Sequence, residues 1–165
     1  MGRRINCGCG PFPILNWENY DLNPPTEKEC ANAAHILKKD AFEVDYRGAE
    51  YVFAGHFIEH QTPEDARRFV KMIYDQAPQA TLVLVVPVLD RTNDPAVDFA
   101  LLQQIISHHE MYPNAPYGIA HRSWWRTKDL LALLQWVGYH RVTEWPDCPW
   151  LTARVGWQIV LKCNV

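Results

Sequence analysis

The chain has no apolar run long enough to cross a bilayer: its longest, residues 81–89, falls far short of the roughly 20 residues such a helix needs. Nor do its first residues carry the apolar core of a secretory signal, so a cytoplasmic location is the expectation. Excess charge of one sign is missing too. Sixteen Lys plus Arg stand against nineteen Asp plus Glu, a formal charge of −3, without the basic surplus that draws a protein onto phosphates, which argues against a nucleic-acid partner. The five cysteines (Cys7, Cys9, Cys30, Cys148, Cys163) are odd in number and scattered, unlike a secreted disulfide scaffold. Cys7 and Cys9 form a C-x-C pair, but no second Cys or His pair stands at zinc spacing, so no metal is expected. Internal repeats, low-complexity tracts and linkers are absent, and residues 1–165 read as a single domain.

What is present is the composition of a soluble globular chain, 48% hydrophobic and 21% charged, patterned as alternating short strands and helices. Residues 4–9 form an apolar segment halted by Gly10-Pro11-Phe12-Pro13. Residues 18–22 make a second strand, closed by Asn23-Pro24-Pro25. Thr26 and Glu29 then stand at capping-box spacing before a brief helix over 30–34. Strands follow at 35–38 and 50–55. Thr62-Pro63-Glu64-Asp65 is a helix start with a hydroxyl cap, an N1 proline and first-turn acids, and Ala66, Phe69, Val70, Ile73 and Ala77 recur at helical spacing behind it. The continuous apolar run 81–86 is the mark of a strand buried on both faces of a mostly parallel sheet. Asp94-Pro95 opens another helix, with an irregular stretch at 112–118 after it. Thr127 caps a further helix whose Leu130, Leu131, Leu134 and Val137 face inward and which Gly138 ends. Residues 141–145 and 157–162 complete the chain as an antiparallel pair. The fold class is α/β, a Rossmann-like sheet with helices on both faces.

In such open sheets ligands lie beyond the carboxyl ends of the strands. Those positions hold Gly8-Cys9-Gly10, Asp21, Asp40, and residues 56–60. Close glycines admit a ligand to backbone N–H groups, an acid at the second strand end can take two ribose hydroxyls, and a further acid an exocyclic amine. The same residues also suit a tight turn and helix caps. His56, Glu59, His60 and His121 are the candidates for general acid or base work. The aromatics Tyr112, Tyr117, Trp124 and Trp125 are candidates for an acceptor pocket or for local packing.

INCGCGPFPILNWENYDL resembles the opening of a small group of class I S-adenosylmethionine-dependent methyltransferases, with its I-N-x-G-C-G-x-x-P turn and following W-x-N-x-D-L. Downstream, Asp40-Ala41, EYVFAGHFIEH and HRSWWRTKDLLALLQWVGYHRV are similar to the group's later segments, so the likeness runs over roughly residues 4–162. It implies a seven-stranded sheet of order 3-2-1-4-5-7-6 with the seventh strand antiparallel, and S-adenosylmethionine as cofactor. By motif, Gly8 and Gly10 would flank its methionine part, Asp21 its ribose, and Asp40 with Ala41 its adenine, with Asn6, Cys9 and Leu22 also among the cofactor-binding residues. Gly55 and His56 would close the pocket near the sulfonium. The implied activity is methyl transfer to an unidentified small-molecule or glycan-type acceptor.

The chain departs from the group in its first connection, where about ten residues replace the usual helix, and in offering no N-terminal lid helices before the first strand. A degenerate fold serving as a binding or interaction module is the alternative these departures favour. A dinucleotide enzyme is a second rival, but G-C-G-P-F-P is not G-x-G-x-x-G opening a helix, so a pyrophosphate would lack its helix N-terminus. The D/N-P-P-Y box of many enzymes that methylate amino groups is also absent.

Overall fold

The computed structural model describes residues 2–30, 32, 34–90, 122–151 and 158–165. The helix expected from Asp94, the aromatics Tyr112 and Tyr117, and His121 lie outside them. Among the described residues the strands are β1 (Arg3–Cys7), β2 (Glu18–Asp21), β3 (Ile36–Lys38), β4 (Ala49–Gly55), β5 (Thr81–Pro87), β6 (Arg141–Glu144) and β7 (Gln158–Asn164). They form one sheet in the order β3-β2-β1-β4-β5-β7-β6. The first five run parallel to one another, and β7 is antiparallel to both β5 and β6. This is the order and the reversal that the opening motif implies.

Strand alternation divides the core into two faces. On β5, Leu82, Leu84 and Val86 join a large cluster with Phe69, Val70 and Ile73 of helix α1 (Pro63–Gln76) and with Leu130, Leu133, Leu134 and Val137 of α2 (Thr127–Val137). Val83 and Val85 face the other way, with Phe53, Cys148 and Val160. The inward stripe of α2 includes Leu133, and Leu131 is only partly buried against the core. Among the described residues the second face is covered by loop side chains, namely Ile14, Trp17, Trp145, Trp150 and Leu151.

Two helix boundaries differ from the sequence reading, each because a side chain captures the backbone. Thr26 and Glu29 do bond through Thr26 N and Oγ1 to Glu29 Oε2, both at 2.8 Å, yet they close only a single 3-10 turn over Glu27–Glu29. Cys30, Asn32 and Ala34, expected in a helix, are not helical. Asn32 Oδ1 accepts from Ala34 N at 2.9 Å and its amide donates to Pro13 O, an Asx-type turn that competes with helical bonding. At α2 the capping position is Arg126, not Thr127, and Arg126 supplies no side-chain bond. Asp90 caps from outside the helix, accepting from Thr127 N at 3.0 Å and from Thr127 Oγ1 at 3.0 Å.

Parallel neighbours normally need a crossover of about a dozen residues or more, usually helical. Here residues 8–17 join β1 to β2 without a helix, which leaves the loop's backbone groups to find other partners. Two buried asparagines meet that need. Asn19 Oδ1 accepts from Ile14 N at 2.7 Å and from Asn6 Nδ2 at 3.0 Å, while its own amide donates to Ile14 O and Trp17 O. Asn6 also donates to Phe12 O at 3.3 Å. Each asparagine is 1% exposed, so these bonds are made where an unpaired polar group would cost about 1 to 3 kcal/mol. The W-x-N-x-D-L spacing thus has a physical basis: its Asn ties down the loop that stands in for the helix.

Candidate functional site

The loop after β1 turns sharply because Gly8 and Gly10 adopt φ of +59° and +50°, a region that strains L side chains. This is why β1 stops at Cys7. The turn is then held across the sheet: Cys9 N donates to Tyr20 O, and Gly10 N donates to Asp21 Oδ2 at 2.9 Å. Asp21 Oδ1 accepts from Asn23 N at 2.8 Å, which bends the chain out of β2 before Leu22 can extend it. An ionised carboxylate offers about four lone-pair positions, so two backbone bonds leave Asp21 able to accept from a ligand.

Asp40 follows β3 and caps the 3-10 turn Ala41–Glu43, accepting from Phe42 N at 2.9 Å. Tyr46 beneath it donates to Ala41 O at 2.7 Å and fixes that turn against the core. Cys9 is buried, and burial first, then the nearby Asp21 charge, pushes its thiol up to about 12. It is a neutral wall group and not a nucleophile.

After β4 the chain reverses through His56, a non-glycine residue at φ +52°, whose N–H donates to Val85 O at 2.9 Å. That conformation is strained for a residue with a side chain, and here it sets the imidazole between two partners. Nδ1 lies 3.0 Å from Glu59 Oε1, and Nε2 lies 3.1 Å from Gln158 Oε1 on β7. Burial lowers the basicity of His56, but the hydrogen bond and charge of Glu59, aided by Gln158, outweigh it and hold the pKa above its ordinary value. Two oxygen acceptors on the two ring nitrogens suit the imidazolium. Glu59 itself is 1% exposed, and its Oε2 finds no hydrogen-bond partner among the described residues.

The HFIEH segment packs against residues 122–125. Arg122 N and Ser123 N donate to Glu59 O at 2.7 and 3.0 Å, and Ser123 Oγ donates to Ile58 O. Trp125, considered above for an acceptor pocket, is buried and commits its indole N–H to Ser123 Oγ at 2.9 Å. Neither it nor the exposed Trp124 is among the described residues that line the cavity.

These strand ends converge on a cavity of about 670 Å³, within the range of small-molecule sites. Every residue that the resemblance assigns to a cofactor lines it: Asn6, Gly8, Cys9, Gly10, Asp21, Leu22, Asp40, Ala41, Gly55 and His56. Of the acid-base candidates, His56 and His60 line it, whereas Glu59 stands behind His56. Asn6 commits its amide N–H groups to Phe12 O in the loop and to Asn19 Oδ1 on β2. The sequence reading missed Gln158, Phe53, Trp150 and Leu151. Only the sheet register, which pairs Pro87 with Gln158, brings Gln158 beside His56.

Comparison with solved structures decides the architecture. The mitomycin 7-O-methyltransferase MmcR superposes with a TM-score of 0.62 at 19% identity, covering 98% of this chain and 48% of that one. The fold is the class I methyltransferase fold. An S-adenosylmethionine-dependent methyltransferase from Archaeoglobus fulgidus matches at a TM-score of 0.63 and 16% identity, over 98% of this chain and 86% of that one. The O-methyltransferase NcsB1 from neocarzinostatin biosynthesis, solved with S-adenosylmethionine and 2-hydroxy-5-methyl naphthoic acid, gives 0.61 and 12% over 99% of this chain and 48% of that one. The chain therefore spans about half the length of MmcR and of NcsB1. No family model and no curated protein sequence matches it.

Proposed function

We propose that the chain binds S-adenosylmethionine and transfers its methyl group to a hydroxyl-bearing acceptor. The carrying observation is the convergence on one cavity of the glycine turn, the two strand-end acids and the Glu59–His56 pair. The residues present suit the cofactor. Asp21 would receive the ribose, and Asp40 with Ala41 the adenine. The approach at Gly55 is one that a side chain would fill, since a Cβ there would stand 2.7 Å from the Phe53 ring. When bound, the cofactor supplies an electrophilic methyl, the carbon–sulfur bond breaking as the oxygen–carbon bond forms and the electron pair staying on sulfur. The protein's part is alignment, worth up to about 7 to 11 kcal/mol in favourable cases, and removal of the acceptor proton. His56, with 43% of its side chain accessible, takes that proton on Nε2 after exchanging Gln158 for the acceptor hydroxyl. Glu59 keeps the other nitrogen protonated.

Calorimetry with S-adenosylhomocysteine tests the binding reading. A micromolar Kd, about −8 kcal/mol, is expected. The absence of heat and of any melting shift at millimolar ligand would overturn it, and a tight nicotinamide dinucleotide signal in its place would support the rival. The acid-base reading carries its own expectation. Because the pKa of His56 is raised from 6.5, its base form appears only as pH climbs past that value, so kcat/KM should rise with pH through a pKa above 6.5. Glu59→Gln removes the raising charge and leaves burial opposed only by the weaker Gln158 hydrogen bond, so the limb moves to lower pH. A profile that does not move between wild type and Glu59→Gln excludes His56 as the titrating base.

A further inference from the structure

The wall of the cavity is divided. Its charged side chains gather beside Asp40: the Arg68 guanidinium lies 4.3 Å from the Phe42 ring, and Asp65 lies 3.7 Å from Arg68. On the second face of the sheet the wall is made by Phe53, Val85, Trp150 and Leu151. His56 joins the two regions, since its backbone N–H is bonded to Val85 O. Trp150 is clamped edge-on by neighbouring rings, with centroids 4.6 Å from Trp17, 5.3 Å from Trp145 and 5.4 Å from Tyr51. This is a preformed aromatic wall, which binds a flat apolar body at little ordering cost. Asn6 borders it, but its amide hydrogens are engaged by Phe12 O and Asn19 Oδ1.

We infer that this second-face region is the acceptor subsite and that it takes an apolar, ring-bearing molecule with an ionisable hydroxyl directed at His56, rather than a glycan. The inference rests on the reading that the Asp21–Asp40 end holds the adenosyl group. A sugar in this chamber would bury several hydroxyls against Phe53, Val85 and Leu151, whose side chains offer no hydrogen-bond partner, and sites discriminate strongly against unpaired polar groups. A phenol buries its ring on Trp150 and presents one O–H to one imidazole.

The test measures binding by calorimetry, with melting curves as the check of folding, in the presence and absence of saturating S-adenosylhomocysteine. The probes are 4-ethylphenol and methyl β-glucopyranoside. The phenol should bind with a sub-millimolar Kd and the glucoside at least ~10-fold more weakly. Trp150→Ala should weaken the phenol by ~10-fold or more while leaving the affinity for S-adenosylhomocysteine within ~2-fold, because Trp150 packs with Phe53 and Trp17 on the second face. Leu151→Arg, at a half-buried position, puts a charge in the chamber and should do the same if Trp150→Ala does not fold. Phenol binding that is lost in these variants but needs no S-adenosylhomocysteine supports the chamber even where the cofactor reading fails. Equal or tighter binding of the glucoside, or unchanged phenol affinity in a folded variant, overturns the inference.

Discussion

Gly8→Ala is expected to lower the melting temperature by on the order of 10 °C and to abolish cofactor binding, while Gly10→Ala costs far less. Both glycines have positive φ, which an alanine tolerates at about 1 to 2 kcal/mol. Their surroundings differ. A Cβ on Gly8 would stand 2.4 Å from Cδ2 of Phe57, whereas one on Gly10 meets nothing within 4 Å. The Phe57 ring is not a loose end, because it packs against Phe69 of α1 with centroids 4.7 Å apart. Overpacking at such a site adds roughly 1 to 3 kcal/mol, giving about 2 to 5 kcal/mol in all, and each kcal/mol moves the midpoint of a chain this size by about 2 to 4 °C. Thermal melts of the two variants side by side decide the matter. Equal midpoints would mean that Phe57 yields, and the tight fit between the glycine turn and α1 would lose its support.

The contrast between these glycines marks what was legible in the sequence. The G-C-G turn, both strand-end acids and the HFIEH box are local signals, each set by residues a few positions apart, and the structure brings them to one cavity. Strand order was legible through motif likeness, and the paired strands at the end of the chain through the lack of a helix between them. What could not be read depends on residues far apart in the chain. Gln158 meets His56 across 102 positions, and Asp90 caps α2 from 37 positions away. The helix expected over 30–34 differs for a related reason, since Cys30, Asn32 and Ala34 are not helical. Local propensity favoured it, but Asn32 binds Pro13 O in the substitute loop and so takes part in a tertiary contact that the local pattern does not encode. Trp150 and Leu151 carried no signal at all, because nothing in the local pattern of a loop between two strands says which sheet face its side chains will cover.

Asp21→Ala is expected to weaken S-adenosylhomocysteine binding by about 10- to 100-fold, because a hydrogen bond to a charged acceptor contributes roughly 1.5 to 3 kcal/mol. The carboxylate also has structural work in the ligand-free protein, receiving Gly10 N on one oxygen and Asn23 N on the other. The substitution therefore frees two backbone donors near the surface, and a fall in melting temperature of a few degrees should accompany the loss of affinity. Asp21→Asn separates the two effects. Its amide keeps a single carbonyl oxygen for the turn and the ligand to share, and it lacks the charge, so affinity should lie between wild type and alanine while the midpoint stays nearer wild type. Calorimetry and melting on the same preparations give both quantities. If the alanine variant melts earlier yet binds the ligand as tightly as wild type, Asp21 serves only to hold the two turns, and the ribose contact at the end of β2 must be given up; if affinity falls in the order Asp, Asn, Ala while the folded fraction is unchanged at the binding temperature, the same carboxylate organises the glycine loop and grips the ligand it frames.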